Sequence, residues 1–380
     1  MRKIIYMDNA ATTKISKEVL NEMLPYLTCQ YGNPSALYKL GQESKQAINK
    51  AREQVATAIS ANPNEIYFTS CGSESNNLAI KGVCKKQKAL GKYKIITTNI
   101  EHPSVLNICK HLEEQGFEVI YIPVDKHGFV SAKQVEDMID DNTAIVSIMY
   151  ANNEIGTIQP INEIGEVCRV YNIPFHVDAV QALGNIQINL SKTNADLMSF
   201  SGHKIHAPKG VGCLYVRNGI ECSPLIYGGG QENGLRAGTE NVAGIVGFGK
   251  AIEFATNNLE KRVKYITYLR NYLIDKIVDG DNIKLNGWIQ NRLCGNVNVS
   301  FKHNEGESIA LQLANNGICV SARSACSSGN LEPSHVIKAI EEDEDYLYGA
   351  VRFSIGQFNT KAEIDTVIKT IKEGLILHRQ

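Results

Sequence analysis

Apolar residues in the first sixty positions recur at helical spacing. Ile48, Ala51, Val55 and Ile59 share one face of a long amphipathic helix that follows a turn at Asn33-Pro34-Ser35 and ends near Ile59. A shorter helix, capped by Ser16 and ending near Tyr26, precedes it, after an extended arm over residues 4–13. The period then changes. Short apolar runs at 66–69, 94–98, 118–122, 144–149, 174–177, 197–200 and 210–216 read as strands. Helical patterns at 75–83, 103–114, 131–139 and 161–171 lie between them. Alternation of this kind implies parallel βαβ units, and near-continuous apolar strands imply a sheet covered on both faces.

After a flexible loop at 228–232, one long helical stretch over 239–277 is predicted to cross to a smaller α/β region. That region runs strand 297–301, helix 307–315, strand 318–320, helix 334–340, strand 351–355 and helix 361–376. Residues 15–256 are therefore expected to form a large domain, with 1–14 and 257–380 forming a small one. The segment 321–330 has too little apolar content to pack.

Composition narrows the picture only slightly. The chain has 380 residues, 43% hydrophobic and 21% charged, with 39 basic and 40 acidic side chains, so neither nucleic acid nor an anionic membrane is favoured as a direct partner. No apolar run approaches the ~20 residues of a membrane span, and an acid at Asp8 interrupts any signal-peptide pattern, so a cytoplasmic protein is expected. None of the ten cysteines pair as C-x-x-C, which speaks against an intrinsic metal site. The acidic run Glu341–Asp345 reads as a solvated turn.

The candidate chemistry sits at strand ends, where ligands bind in open α/β sheets. Gly72-Ser73 opens a helix whose free N–H groups suit a phosphate, although an ordinary capped turn would look the same. His102, just before a helix, serves either as a cap or as a ring stacked on a flat ligand. Asp178 closes a buried strand, where a carboxylate needs a cation or several donors. Ser201, His203 and Lys204 follow another strand; taken alone, Lys204 reads as a solvated loop lysine. Together these residues offer an anion site, a stacking ring, a buried acid and an amine, the set that pyridoxal 5'-phosphate requires.

Several segments, in order and over nearly the whole chain, resemble the cysteine desulfurases. They are Asn9–Thr13, Thr69–Ala79, Glu101-His102, Asn152–Gly156, His176–Asp178, Ser199–Lys204, Arg236–Thr239 and Ser324–Ser328. These enzymes are fold-type I pyridoxal-phosphate proteins related to the class V aminotransferases. The cysteine segment followed by Leu331–Ser334 resembles the group that serves iron–sulfur cluster assembly and tRNA thiolation.

The resemblance implies a mostly parallel seven-stranded sheet and a homodimer. It also implies that Lys204 carries the cofactor aldehyde as an imine, Asp178 pairs with the pyridine nitrogen, Gln181 meets the ring oxygen and His102 stacks on the ring. Gly72, Ser73, Ser201 and His203 would hold the phosphate, with Thr239 reaching in from the other subunit. Asn153 and Arg352 would orient the substrate carboxylate.

Cys326 lies in the polar segment and, by resemblance, takes sulfur from L-cysteine as a persulfide, leaving alanine, and hands it to an acceptor protein. With a scaffold partner Cys326 would also serve as a transient iron–sulfur ligand. Two positions depart from the family pattern: Arg323 and Cys71 stand where small residues are common. An aminotransferase or selenocysteine lyase of the same fold, or a non-enzymatic sulfur-delivery scaffold, remain the alternative readings.

Overall fold

The computed structural model describes residues 4–322, 332–341 and 343–376. Its central sheet has seven strands in the order Ile66–Thr69, Gly212–Val216, Leu197–Ser201, Phe175–Asp178, Thr143–Met149, Lys94–Thr98 and Glu118–Ile122. The last five of these are mutually parallel, while Gly212–Val216 runs antiparallel to both its neighbours. The physical reason is loop length: the connection 202–211 is too short for the crossover that a parallel return needs. All seven residues of Thr143–Met149 are buried, as the unbroken apolar pattern predicts for a sheet with helices on both faces. Because six strands share one direction, Thr69, Thr98, Met149, Asp178 and Ser201 end along one edge of the sheet.

The apolar face of Lys39–Ile59 packs on the buried helix Val242–Thr256. A Cβ at Gly249 would lie 2.8 Å from Ala51 Cα, so glycine is needed for that approach. The single helical stretch expected over 239–277 is in fact two helices, Val242–Thr256 and Leu259–Ile277. Asn257 is extended and Asn258 is left-handed (φ 57°), a conformation asparagine tolerates better than most residues. Arg262 secures the corner by donating to the carbonyls of Gly184 (2.7 Å) and Ala255. The apolar period runs on through both helices, so the pattern alone does not reveal the break.

A second core gathers Met7, Leu269, Leu273, Val297, Val299, Val351, Phe353, Ile364 and Val367. It covers a three-stranded antiparallel sheet of Ala350–Ser354, Asn296–Phe301 and Ile283–Leu285, the last of which the pattern did not suggest. The N-terminal arm belongs here too, since Ile5–Tyr6 pairs in parallel with Ile318–Cys319. The arm thereby passes from the second core, at Met7, to the edge of the large sheet. No described helix is long and apolar enough to cross a membrane.

Candidate active site

A cavity of about 200 Å³ opens at the strand-end edge, between the large sheet and the second core. Gly72, Ser73, His102, Asn153, Asp178, Gln181, Ser201, His203, Lys204 and Arg352 all line it. The structure thus brings together every expected site residue except Thr239 and Cys326. Thr239 is exposed in the turn after Arg236, which pairs with Glu74 at 2.9 Å. Cys326 and Arg323 lie outside the described residues.

Asp178 ends its strand inside the protein, 6% exposed. Its Oδ1 accepts from the Val180 N–H at 3.0 Å, and its Oδ2 accepts from Asn76 Nδ2 at 2.7 Å. Both partners are neutral N–H donors, which leaves the carboxylate able to accept a cationic donor from the cavity. His102 is the N-cap of Pro103–Glu113, and its Nδ1 accepts from the Ser104 N–H at 3.1 Å. Burial pushes the imidazole toward its neutral form. Lys204 and His335 push the same way, and Asp178 and Glu154 oppose them.

Lys204 sits in the tight turn Gly202–Lys204 directly after Leu197–Ser201. Its Nζ donates to the carbonyls of Ala10 at 2.5 Å and Ala11 at 2.8 Å, and is therefore not the solvated loop lysine that the bare sequence suggests. Gln181 Nε2 also donates to Ala10 O, at 3.0 Å. The arm at Ala10-Ala11 is thus folded over both side chains.

The helix Gly72–Lys88 starts earlier than expected. Its N-cap Cys71 makes no side-chain cap hydrogen bond. A Cβ at Gly72 would lie 2.7 Å from Val180 Cγ2 and 3.3 Å from Ser201 Cβ, so the turn is shaped by the absence of a side chain. Ser201 Oγ is buried without a hydrogen-bond partner among the described residues. Leaving such a group unmet costs ~1–3 kcal/mol. A phosphate at this helix start would satisfy it, and pyridoxal phosphate fits the residues present. His203, whose Nδ1 is 3.2 Å from Thr12 Oγ1, is held neutral by burial and by Lys204 and Lys209, with its pKa pushed down to about 4.

On the opposite wall, Arg352 projects from Ala350–Ser354. Its Nη1 donates to Asn153 O at 2.7 Å and its Nη2 to Asp8 Oδ1 at 3.0 Å. Its Nε is buried and has no partner among the described residues. Asp8 Oδ1 also accepts from Ser321 Oγ at 2.9 Å. Beyond the cysteine segment, Ser334 Oγ donates to Glu154 Oε2 at 2.5 Å, and His335 Nε2 lies 3.0 Å from Glu101 O. Both flanks of that segment are therefore bonded to groups around this cavity.

Four residues here were given no site role from the sequence, although Asn76 and Glu101 fall in resembling segments: Asn76, Ser104, Asp8 and Glu101. Asn76 had one usable signal, a polar amide on the otherwise small or apolar buried face of its helix. Glu101 is fully buried, and burial pushes its carboxyl up to about 8 despite donors to Oε1 from Thr98 Oγ1 (2.7 Å) and Met149 N (2.9 Å).

Comparison with known proteins adds an independent line. The family described as aminotransferase class V matches residues 5–367. The chain is 50% identical over 371 residues to a protein named cysteine desulfurase IscS from Methanosarcina thermophila, covering 98% of this chain and 92% of that one. It is also 50% identical over 383 residues to a protein of the same name from Clostridium botulinum, covering 100% and 96% respectively. A solved structure described as a NifS-like protein superposes with a TM-score of 0.93 at 40% identity, over 99% of this chain and 100% of that one. Another, described as SspA in complex with cysteine, gives 0.83 at 38% identity, over 94% and 100%.

Proposed function

The chain belongs to the class V aminotransferase family and, within it, to the cysteine desulfurases, and from that premise we infer the roles of its residues. It is a pyridoxal-phosphate enzyme that mobilises sulfur from cysteine. When bound, the cofactor supplies an electron sink for the substrate's α-carbon. Asp178 would face the ring nitrogen and keep it protonated, His102 would lie against the ring, and Gln181 would face the ring oxygen. Gly72, Ser73, Ser201 and His203 would surround the phosphate, joined by Thr239 of a second copy in a homodimer.

Lys204 would hold the cofactor through its amine and would serve as the base that takes the substrate's α-proton on Nζ. For that it must leave the carbonyls of Ala10 and Ala11. Arg352 and Asn153 orient the substrate carboxylate, with the spare Arg352 Nε as the natural donor.

The Cys326 thiolate then attacks the substrate sulfur. A sulfur–sulfur bond forms, the Cβ–S bond breaks, and its electron pair stays with the carbon fragment that becomes alanine. Ser321 and Ser334, on either side of the cysteine segment, are bonded to Asp8 and Glu154 beside the cavity. The persulfide sulfur passes to a protein acceptor in the cytoplasm, for iron–sulfur assembly or tRNA thiolation.

The observation that carries this reading is the meeting of Asp178, His102, Lys204 and Arg352 in one cavity that also holds an unsatisfied Ser201 hydroxyl. The test is release of alanine and sulfide from L-cysteine, with a thiol reductant present to discharge the persulfide, by the wild type, Lys204→Ala and Cys326→Ala. Wild type is expected to give both products in equal amounts, and both variants to lose sulfide release. Undiminished sulfide release by Cys326→Ala would overturn the persulfide role of Cys326.

A further inference from the structure

Asn76 lies on the buried face of Gly72–Lys88, 1% exposed, and one nitrogen of its amide serves two partners. Nδ2 is 2.7 Å from Asp178 Oδ2 and 2.8 Å from Ser104 Oγ. An ionised carboxylate only accepts, so chemistry assigns the NH2 end of the amide to this side, and both its hydrogens are used. Ser104 Oγ therefore accepts from Asn76 and has a single hydrogen of its own to give. Its other polar neighbour is His102 Nδ1, at 2.8 Å. The Ser104 backbone N–H points at the same nitrogen, at 3.1 Å. Nδ1 thus faces two donors and carries no proton, which leaves the proton of the neutral ring on Nε2. The amide keeps this orientation although its Oδ1 is buried without a partner among the described residues, so the two donated bonds outweigh that loss.

We propose that Asn76 is a positioning residue that ties Asp178 to His102 through Ser104 and holds the imidazole with its proton on Nε2. His102 then meets the cavity's occupant as a hydrogen-bond donor and not as a base, which leaves proton abstraction to Lys204. The acceptor Asp178 sets the direction of the Asn76 and Ser104 side-chain links, and the Ser104 backbone N–H adds a second donor to Nδ1. The charged and titratable groups around His102 are Asp178, Lys204, His335 and Glu154. None of them donates to Nδ1 in the hydrogen bonds described. The proposal rests on the cysteine-desulfurase reading for what fills the cavity, but the tautomer can be measured apart from turnover.

The test is the 15N spectrum of holoenzyme labelled at histidine, with the His102 signals assigned by their loss in His102→Gln. In the wild type, Nδ1 is expected to resonate as an unprotonated nitrogen and Nε2 as a protonated one. In Asn76→Ala the Ser104 hydroxyl is free to turn away and only the Ser104 N–H still points at Nδ1, so the tautomers are expected to mix in part and kcat/KM to fall about tenfold, mostly in kcat, the scale of one hydrogen bond to a charged group. Ser104→Ala is expected to act similarly, and the double variant to lose little more than either single one. A wild-type proton on Nδ1 would overturn the proposal even if no variant folds, and so would single losses that simply multiply. Absence of sulfide release by the wild type would count against the proposed function and leave the tautomer result standing.

Discussion

The two walls of the cavity are built differently. On the sheet side, Asp178, Asn76, Ser104 and His102 form one hydrogen-bonded chain, and every link but the Asp178 charge is neutral. These side chains project from a strand end and the first turns of two helices. On the other side, Arg352 is held by an ion pair to Asp8 with side-chain exposures of 5% and 18%, and one of its donors is unspent. The first wall suits a group that stays bound through many turnovers. The second already carries a carboxylate where a substrate carboxylate would compete, which suits a ligand that comes and goes. Asp8 also accepts from Ser321, just ahead of the cysteine segment in the chain.

Loss of Lys204 should have the largest effect, since the proposed function gives one residue the tasks of both anchor and base. Lys204→Ala is expected to cut turnover by more than about 10⁴-fold, measured as alanine formation. Next come the walls themselves. Arg352→Ala should lower kcat/KM for L-cysteine by about 10²–10³-fold, chiefly through KM, because it removes one partner of a buried pair. Asp178→Ala should instead weaken cofactor retention, read by dialysis and absorbance. If Arg352→Ala sheds cofactor while Asp178→Ala only raises KM, the contrast between the walls is wrong.

A smaller effect is expected from Asp8→Asn. With the competing charge gone, KM for L-cysteine should fall several-fold in steady-state assays, and a rise would mean that Asp8 serves only to position Arg352. The smallest expected effect concerns Glu101. Its folded pKa is raised to about 8, so its contribution to stability is full below the ordinary carboxyl value of 4.5 and is lost as pH rises through about 8. Glu101→Gln, which resembles the protonated acid, should therefore gain on the wild type by roughly a few degrees in Tm between pH 5 and pH 8. An equal Tm difference at both pH values would contradict the protonated state.

Much of this was legible in the chain because it is local. Strand ends such as Asp178 and Ser201 announce themselves as polar residues closing apolar runs, and Lys204 follows within the same turn. What escaped is non-local or blurred by pattern. Asn76 meets Asp178 across 102 residues and Asp8 meets Arg352 across 344, so neither partnership leaves a spacing to read. The break at Asn257-Asn258 escaped because apolar periodicity continues through it. Gly212–Val216 was read as a strand, but its antiparallel direction depends on the short connection before it. Lys204 shows the limit from the other side. Its position was readable, whereas its burial under the Ala10-Ala11 carbonyls required the fold.

The division of labour between Lys204 and Cys326 can be tested in one turnover. Holoenzyme is mixed with limiting L-cysteine without reductant or acceptor, quenched, and examined by peptide mass spectrometry alongside alanine measurement. One alanine should appear for each additional sulfur atom carried by the peptide containing Cys326. Alanine formed in full yield while the peptide containing Cys326 stays unmodified would contradict it.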